Sequence, residues 1–344
     1  MIRWFEENGL QSDVVVSSRV RLARNLRSYN FSPKLTDVDA RVMVNHLKEK
    51  IASLGCVSKF NSYDFSELDD CQKHAMKERH VISNYLLGQN TAAGFVSSDE
   101  DISIMLNEED HIRIQGFGAG MNIKNVYDKV NKIDDSLGDV LDYAYNKKYG
   151  YLTTCPSSVG TGMRVTYMLH LPALTITNRI SGIATEVGRF GMMLRCVFWD
   201  NNSDGYGDIY KLTNQLTLGL TEQEAMDNLN HIANQIILQE RAIRKQYIAS
   251  RKIEALDSVY RSYGLLKYAR KLSQKDGMIL LSQIRMGLAE KLIHMETQEE
   301  FSIYQLMIGI QPANLMLISE EELSFEALEE RRAQFIREHL PLIQ

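Results

Sequence analysis

The sequence lacks most of the patterns by which metal and phosphate sites are usually read. Its four cysteines are Cys56, Cys71, Cys155 and Cys196, and no two form a C-x-x-C pair. That argues against a zinc knuckle and for reduced thiols. No GxxxxGK[ST] occurs, so a Walker phosphate loop is absent. HRD and DFG are absent too, which removes the protein-kinase signature set. There is no apolar run of about 18 residues to span a membrane. The opening stretch MIRWFEENGLQSD has no apolar core of a secretion signal. A cytoplasmic protein with no membrane contact is therefore expected. The formal net charge is −5, which speaks against general attraction to nucleic acid. Any arginine cluster must act locally.

The 344 residues are 44% hydrophobic and 24% charged, the composition of a soluble globular chain of one large domain or two. Residues 36–55 read as a helix opened at Thr36 or Asp37 and stopped by Gly55. A second helix is predicted from Ser66, and a short one over Asn125 to Ile133. Residues 92–96 and 102–106 read as strand, turn, strand. From Met163 to Leu171 the alternation is clear: Met163, Val165, Tyr167, Leu169 and Leu171 share one face, and Arg164, Thr166, Met168 and His170 the other. Thr221 to Glu224 forms a capping-box pattern. Helical spacing then runs on to about Tyr263, with Gly264 as its stop. The remainder is helix-forming, and no linker separates it, so one continuous helix is expected to cross a boundary near residue 250.

Four segments carry arginines. VVVSSRVRLARNL (14–26) puts Ser17, Arg19 and Arg21 on one strand face. NEEDHIRIQ (107–115) puts Glu109, His111 and Arg113 on one face, with Glu108 on the other. Arg164 lies opposite an apolar face, and Arg195 sits in FGMMLRCVFWD. A half-exposed antiparallel sheet would carry such arginines with no ligand. The functional reading is a multi-arginine cradle for a polyphosphate, because guanidinium forks match phosphate oxygens in pairs.

Taken together, SSRVRLARN, NEEDHIRI, TTCPSSVGTGMR and TNQLTLG resemble the signatures of the phosphagen (guanidino) kinase family. The resemblance is strongest to its bacterial branch that phosphorylates protein-borne arginine. It implies an α+β fold: an antiparallel sheet flanked by helices, like the catalytic part of glutamine synthetase, over residues 14–250. An all-α C-terminal domain for dimerisation and regulation would occupy 251–344. Small-molecule members carry a helical domain before the first arginine segment. Here Arg19 comes early, which fits an open site for an arginine on a protein surface.

By the same resemblance, Ser17, Ser18, Arg19, Val20, Arg21, His80, Arg113, Arg164, Val165, Thr166, Tyr167, Met168 and Arg195 would bind ATP. Glu109 would be the catalytic carboxylate, Cys155 the reactive cysteine near the guanidinium, and Asp200 the second carboxylate. Arginine is a poor nucleophile while protonated, so a carboxylate that grips it and takes its proton is what the chemistry requires. Mg²⁺ would accompany ATP, with no metal-binding residue assigned. A zinc-finger activator, a heat-shock repressor and a Clp chaperone-protease are the implied partners, in a bacterial stress response, with a homodimer as the assembly.

Two stretches depart from the family pattern. Where the family has a glycine-rich Arg-Gly-x-Tyr-Gly-Glu-Gly loop, this chain has RCVFWDNNSDGYG. Counting from either end places Asp200 or Asn201 at the glutamate. The family's RDxxRA segment is replaced by LEERRA (328–333), which keeps Arg332 and Ala333. The altered loop leaves a binding or regulatory homologue with a weakened site as the alternative. A small-molecule guanidino kinase is the more distant one.

Overall fold

The computed structural model describes residues 2–199, 205–296, 301–319 and 322–343. Ten strands are present among them: β1 (Val15–Arg24), β2 (Asn61–Asp64), β3 (Ala93–Val96), β4 (Ile102–Leu106), β5 (Ile112–Ala119), β6 (Tyr145–Asn146), β7 (Gly150–Tyr151), β8 (Met163–His170), β9 (Met192–Cys196) and β10 (Ile209–Asn214). Eight of them form one sheet in the order β2-β3-β4-β5-β1-β8-β10-β9, and every pairing is antiparallel. β6 and β7 pair as a separate small hairpin.

Helices cover both faces. α1 (Asp37–Ala52), α2 (Asp70–Glu78), α3 (Ile123–Gly138), α4 (Pro172–Ile176), α5 (Ile180–Arg189) and α6 (Glu222–Ser250) belong to the first two-thirds of the chain. α7 (Lys252–Tyr268), α8 (Gln274–Ala289), α9 (Ile303–Gly309), α10 (Pro312–Ser319) and α11 (Phe325–His339) complete it. One core joins Val20, Leu22, Ile114 and Val165 of the sheet to α1, α3 and α6. This is the apolar face that the alternation of β1 and β8 predicts. The opposite face is not solvated at its far end. Val16, Phe117, Met168 and Ile209 pack with Trp4, Phe5 and the C-terminal helices in a second core. The C-terminal helices thus cover part of the sheet face on which the sequence places the arginines.

Several element bounds differ from the sequence reading, each for a local reason. The second helix starts at Asp70, because Asp69 caps the amide of Gln72 while Gln72 returns the bond. α3 extends well beyond Asn125 to Ile133, since its buried positions recur from Ile123 to Leu137. The long C-terminal helix is interrupted at Arg251, whose backbone is non-helical (φ −141°, ψ 50°). Gly264 stops nothing. It lies inside α7, where an added Cβ would meet open space.

Candidate active site

The sheet order brings the arginine segments side by side. β5, β1, β8, β10 and β9 are consecutive neighbours. Arg21 is the register partner of Arg164, Ala23 that of Arg113, and Lys211 that of Arg195. Arg19, Arg21, His80, Arg113 and Lys211 line one cavity of about 750 Å³.

Positive charge dominates that cavity, with Glu78 as the carboxylate in its lining. Among the described residues, no carboxylate or other hydrogen-bond acceptor partners Arg19, Arg21 or Lys211, and the Nε atoms of both arginines are buried without a bond. Arg21 is held well below the usual guanidinium pKa, first by Arg19, then by burial. Burial and Arg113 bring Arg19 down to about 10. Lys211 is brought down to about 7 by burial, with Arg19 and Arg21 adding to it. Buried cations without counter-charge are costly unless an anion joins them. Phe117 supports Arg19 from below, 5.6 Å from its guanidinium, and is itself stacked on Trp4 at 4.7 Å.

The two glutamates lie at the edge of this cluster. β5 begins only at Ile112, so Glu108 and Glu109 sit in the turn before it and strand alternation does not apply. Both carboxylates reach Arg113: Glu108 through Nη1, and Glu109 through Nη2 at 3.0 Å. Glu108 is buried, while the Glu109 side chain is 49% exposed and open to a second partner. His111 does not join them. It is fully buried, accepting from the Leu26 amide and contacting the Asn30 carbonyl.

Asp110 ties this turn to the loop that carries Cys155. Its Oδ1 accepts from the Thr154 amide at 2.7 Å and from Asn25 Nδ2 at 2.6 Å. One buried carboxylate thus ties the turn that carries Glu109 to the loop that carries Cys155. The loop is gripped again at Ser157, whose carbonyl and hydroxyl accept from Arg164 Nη2, both at 2.8 Å. Cys155 Sγ lies 3.1 Å from Ser157 Oγ. Gly160 and Gly162 have positive φ, and a Cβ at Gly160 would fall 2.1 Å from the Thr217 carbonyl. The glycines answer a tight turn against neighbouring backbone.

Residues 42–243 match the family described as ATP:guanido phosphotransferase, C-terminal catalytic domain. Residues 252–344 match the protein-arginine kinase McsB C-terminal domain. The chain belongs to the ATP:guanido phosphotransferase family. Among its relatives is a protein-arginine kinase of Staphylococcus saprophyticus, 37% identical over 99% of this chain and 97% of the relative. Another from Clostridium kluyveri is 38% identical over 95% and 94%. Lombricine kinase shares the fold, with a TM-score of 0.58 at 21% identity over 70% of each chain. A duplicated taurocyamine kinase from Schistosoma mansoni gives 0.61 at 21%, over 70% of this chain and 35% of its own.

In this guanido phosphotransferase, the residues named by resemblance divide by sheet face. Arg19, Arg21, Arg113 and His80 line the cavity. Arg164 lies beside it, its charge felt by Arg21. Arg195 is exposed on edge strand β9. Ser17 is buried near the strand's start. Ser18, Val20, Val165 and Tyr167 turn to the other face. Ser18 Oγ bonds the Gly120 carbonyl and the Asn122 amide, and Tyr167 bonds Asn230. Their side chains are structural and do not reach the cavity. Thr166 bonds Thr213 inside the sheet, and Met168 is part of the second core. Asp200 and Asn201 lie outside the described residues. Arg332 is buried, donating to the carbonyls of Ile310 and Leu272, and is a structural clamp between helices.

His80 takes φ 64°, uncommon for a non-glycine residue. Gln115 Nε2 holds its carbonyl at 2.8 Å, and its Nε2 meets Tyr304 Oη at 2.9 Å. Burial, then Lys211 and Arg19, push it well below the usual imidazole pKa, so it is neutral. Sequence reasoning missed Lys211, whose signal is the alternation Tyr210, Lys211, Leu212 of β10. It also missed the cavity's third wall, formed by Gln274, Gln311 and Pro312 of the C-terminal region.

Proposed function

We propose that this phosphotransferase moves the γ-phosphoryl group of ATP to arginine side chains of proteins. The observation that carries the reading is the set of half-buried cations at Arg19, Arg21 and Lys211, none of them paired with a carboxylate, with a half-exposed glutamate at its rim. A nucleoside triphosphate supplies the missing negative charge. Phe198 and Tyr206, with ring centroids 6.1 Å apart, and exposed Trp199 offer the adenine an aromatic wall.

The transfer needs little covalent help from the protein. Positioning and charge stabilisation dominate phosphoryl transfer. The target guanidinium docks on Glu109, which takes its proton as the nitrogen forms a bond to the γ-phosphorus. The bond from that phosphorus to the bridging oxygen breaks, and the charge on departing ADP falls among the arginines. Cys155 borders the guanidinium side. Asp200 is the second carboxylate in this scheme, and Asp200→Asn is expected to slow transfer while Asn201→Ala is not. Mg²⁺ belongs to the nucleotide. The described residues contain no group of three or more ligating side chains, and Glu78, the cavity's carboxylate beside the C-terminal wall, is occupied by the amides of Ala313 and Asn314. These residues do not fit a protein-held metal.

A cytoplasmic setting, a role in bacterial stress response and proteolysis, a homodimer, and partnership with a zinc-finger activator, a heat-shock repressor and a Clp chaperone-protease complete the proposal. No described helix is long and apolar enough to cross a membrane. Incubation with MgATP and an arginine-rich protein, followed by mass spectrometry without acid, tests the activity. Phosphate on arginine is expected. Its absence with the activator present, or its appearance on free arginine alone, overturns the reading.

A further inference from the structure

His80 stands where α2 ends and the cationic cavity begins. Arg79 caps α2, and His80 follows in the left-handed region. The chain then turns back, with the Val81 amide on the Met76 carbonyl at 2.8 Å. Such a position favours glycine, so a histidine there is held by its surroundings. Gln115 Nε2 grips its carbonyl. Its ring lies beside those of Phe117 and Trp4, with centroids 6.2 Å from each.

The last hold comes from far along the chain. Tyr304 lies in the first turn of α9, in the C-terminal region, and is 1% exposed. Its Oη is 2.9 Å from His80 Nε2, and among the described residues it has no other hydrogen-bond partner. That contact admits two proton arrangements. If Nε2 carries the proton and donates, the phenol O–H is left buried with no acceptor, which is costly. If the phenol donates to Nε2, both groups are satisfied, and the imidazole proton sits on Nδ1. Burial raises the Tyr304 phenol, so it keeps its proton to donate. Nδ1 of His80 has no partner among the described residues and is not closed off by them.

We infer that Tyr304 is a positioning residue for the nucleotide: it fixes the tautomer of His80, so that an Nδ1–H is offered to an acceptor oxygen of the triphosphate. The inference rests on the nucleotide reading of the cavity. A neutral donor suits this place. A charged imidazole would add to the repulsion with Arg19 and Lys211, whereas a neutral N–H adds a hydrogen bond without charge. The contact is kept in register by bonds between α2 and α10. Glu78 accepts from the amides of Ala313 and Asn314 at 3.1 and 2.9 Å, and Arg79 Nη1 donates to Asn314 Oδ1 at 2.9 Å. The C-terminal region thereby acts on the nucleotide through His80, beyond walling its cavity.

Nitrogen-15 NMR of the histidine side chains in the nucleotide-free full chain reads the tautomer directly. The His80 signals are those missing from His80→Gly, a variant that suits the positive φ. The proton is expected on Nδ1 in the wild type. Tyr304→Phe keeps the ring and its packing, and should move the proton toward Nε2, the form imidazole prefers in water. The same substitution should weaken MgATP binding, read by calorimetry, about tenfold, the scale of one hydrogen bond to a charged group. In the His80→Gly background it should have no further effect. A merely structural tyrosine would weaken binding equally in both backgrounds, and that outcome overturns the inference. So does a wild-type proton on Nε2, or a tautomer that Tyr304→Phe leaves in place. An Nδ1 proton with no MgATP bound by the wild type would overturn the nucleotide reading and leave the Tyr304 contact standing.

Discussion

Arg21 and Arg24 lie three residues apart on one strand, Arg21 half-buried and Arg24 fully buried. Their surroundings are opposite. Arg24 meets Asp134 in a fork, and its pKa is raised despite the burial that opposes it. Arg21 faces Arg19, Arg113 and Arg164, and is held well down. The strand's two-residue period sends them to different faces. One face compensates its charge and builds structure. The other leaves charge uncompensated and awaits an anion. The comparison teaches that enclosure within the fold does not by itself give an arginine's role. The presence or absence of a counter-charge says much more.

The largest expected effect lies at the rim of the uncompensated face. Glu109→Gln should lower kcat by about a thousandfold with ATP still bound, the scale of losing a positioned base. Retained turnover would remove Glu109 from that role. On the compensated face, Arg24→Met should cost about 3–5 kcal/mol of stability, because Asp134 is left as a buried lone charge. Chemical denaturation reads this directly. A loss under about 1 kcal/mol would break the contrast with Arg21.

Two smaller effects sharpen it. Asp110→Ala should lower kcat by about ten- to a hundredfold with little change in nucleotide affinity, since it ties the Glu109 turn to the Cys155 loop through Thr154. Equal losses in kcat and ATP affinity would show a general collapse of the loop. Lys211 titrates at about 7 in the free protein. Polyphosphate favours its charged form, so binding must supply a proton above that pH. The KM for ATP should therefore rise about tenfold from pH 6 to 8, and Lys211→Gln should flatten the rise. A profile that Lys211→Gln leaves unaltered would remove Lys211 from the phosphate site.

Much of this was legible in the sequence. The alternation of β1 and β8 separates the arginine face from the Val20 and Val165 face, and four motifs in order carry the family. Three things were not legible. Period-two reasoning fails at Glu108 and Glu109 because they precede the strand, so both can reach Arg113. His111, in step with Arg113 by number, is turned away by the same irregularity. The third is long-range: Gln311 and Pro312 lie almost 300 residues from Arg19 yet wall the same cavity, and no local pattern encodes that meeting. Arg332 shows the converse limit. A residue kept in motif register can be a clamp on carbonyls.

The rise in Tm on adding MgATP, measured for wild type, Arg21→Met and Arg24→Met, tests the central contrast most directly. The account predicts that Arg21→Met keeps or raises the nucleotide-free Tm and loses the ATP-induced rise. Arg24→Met should show a lowered Tm that ATP still raises. An Arg21→Met protein destabilised as much as Arg24→Met, with its ATP response intact, would contradict it.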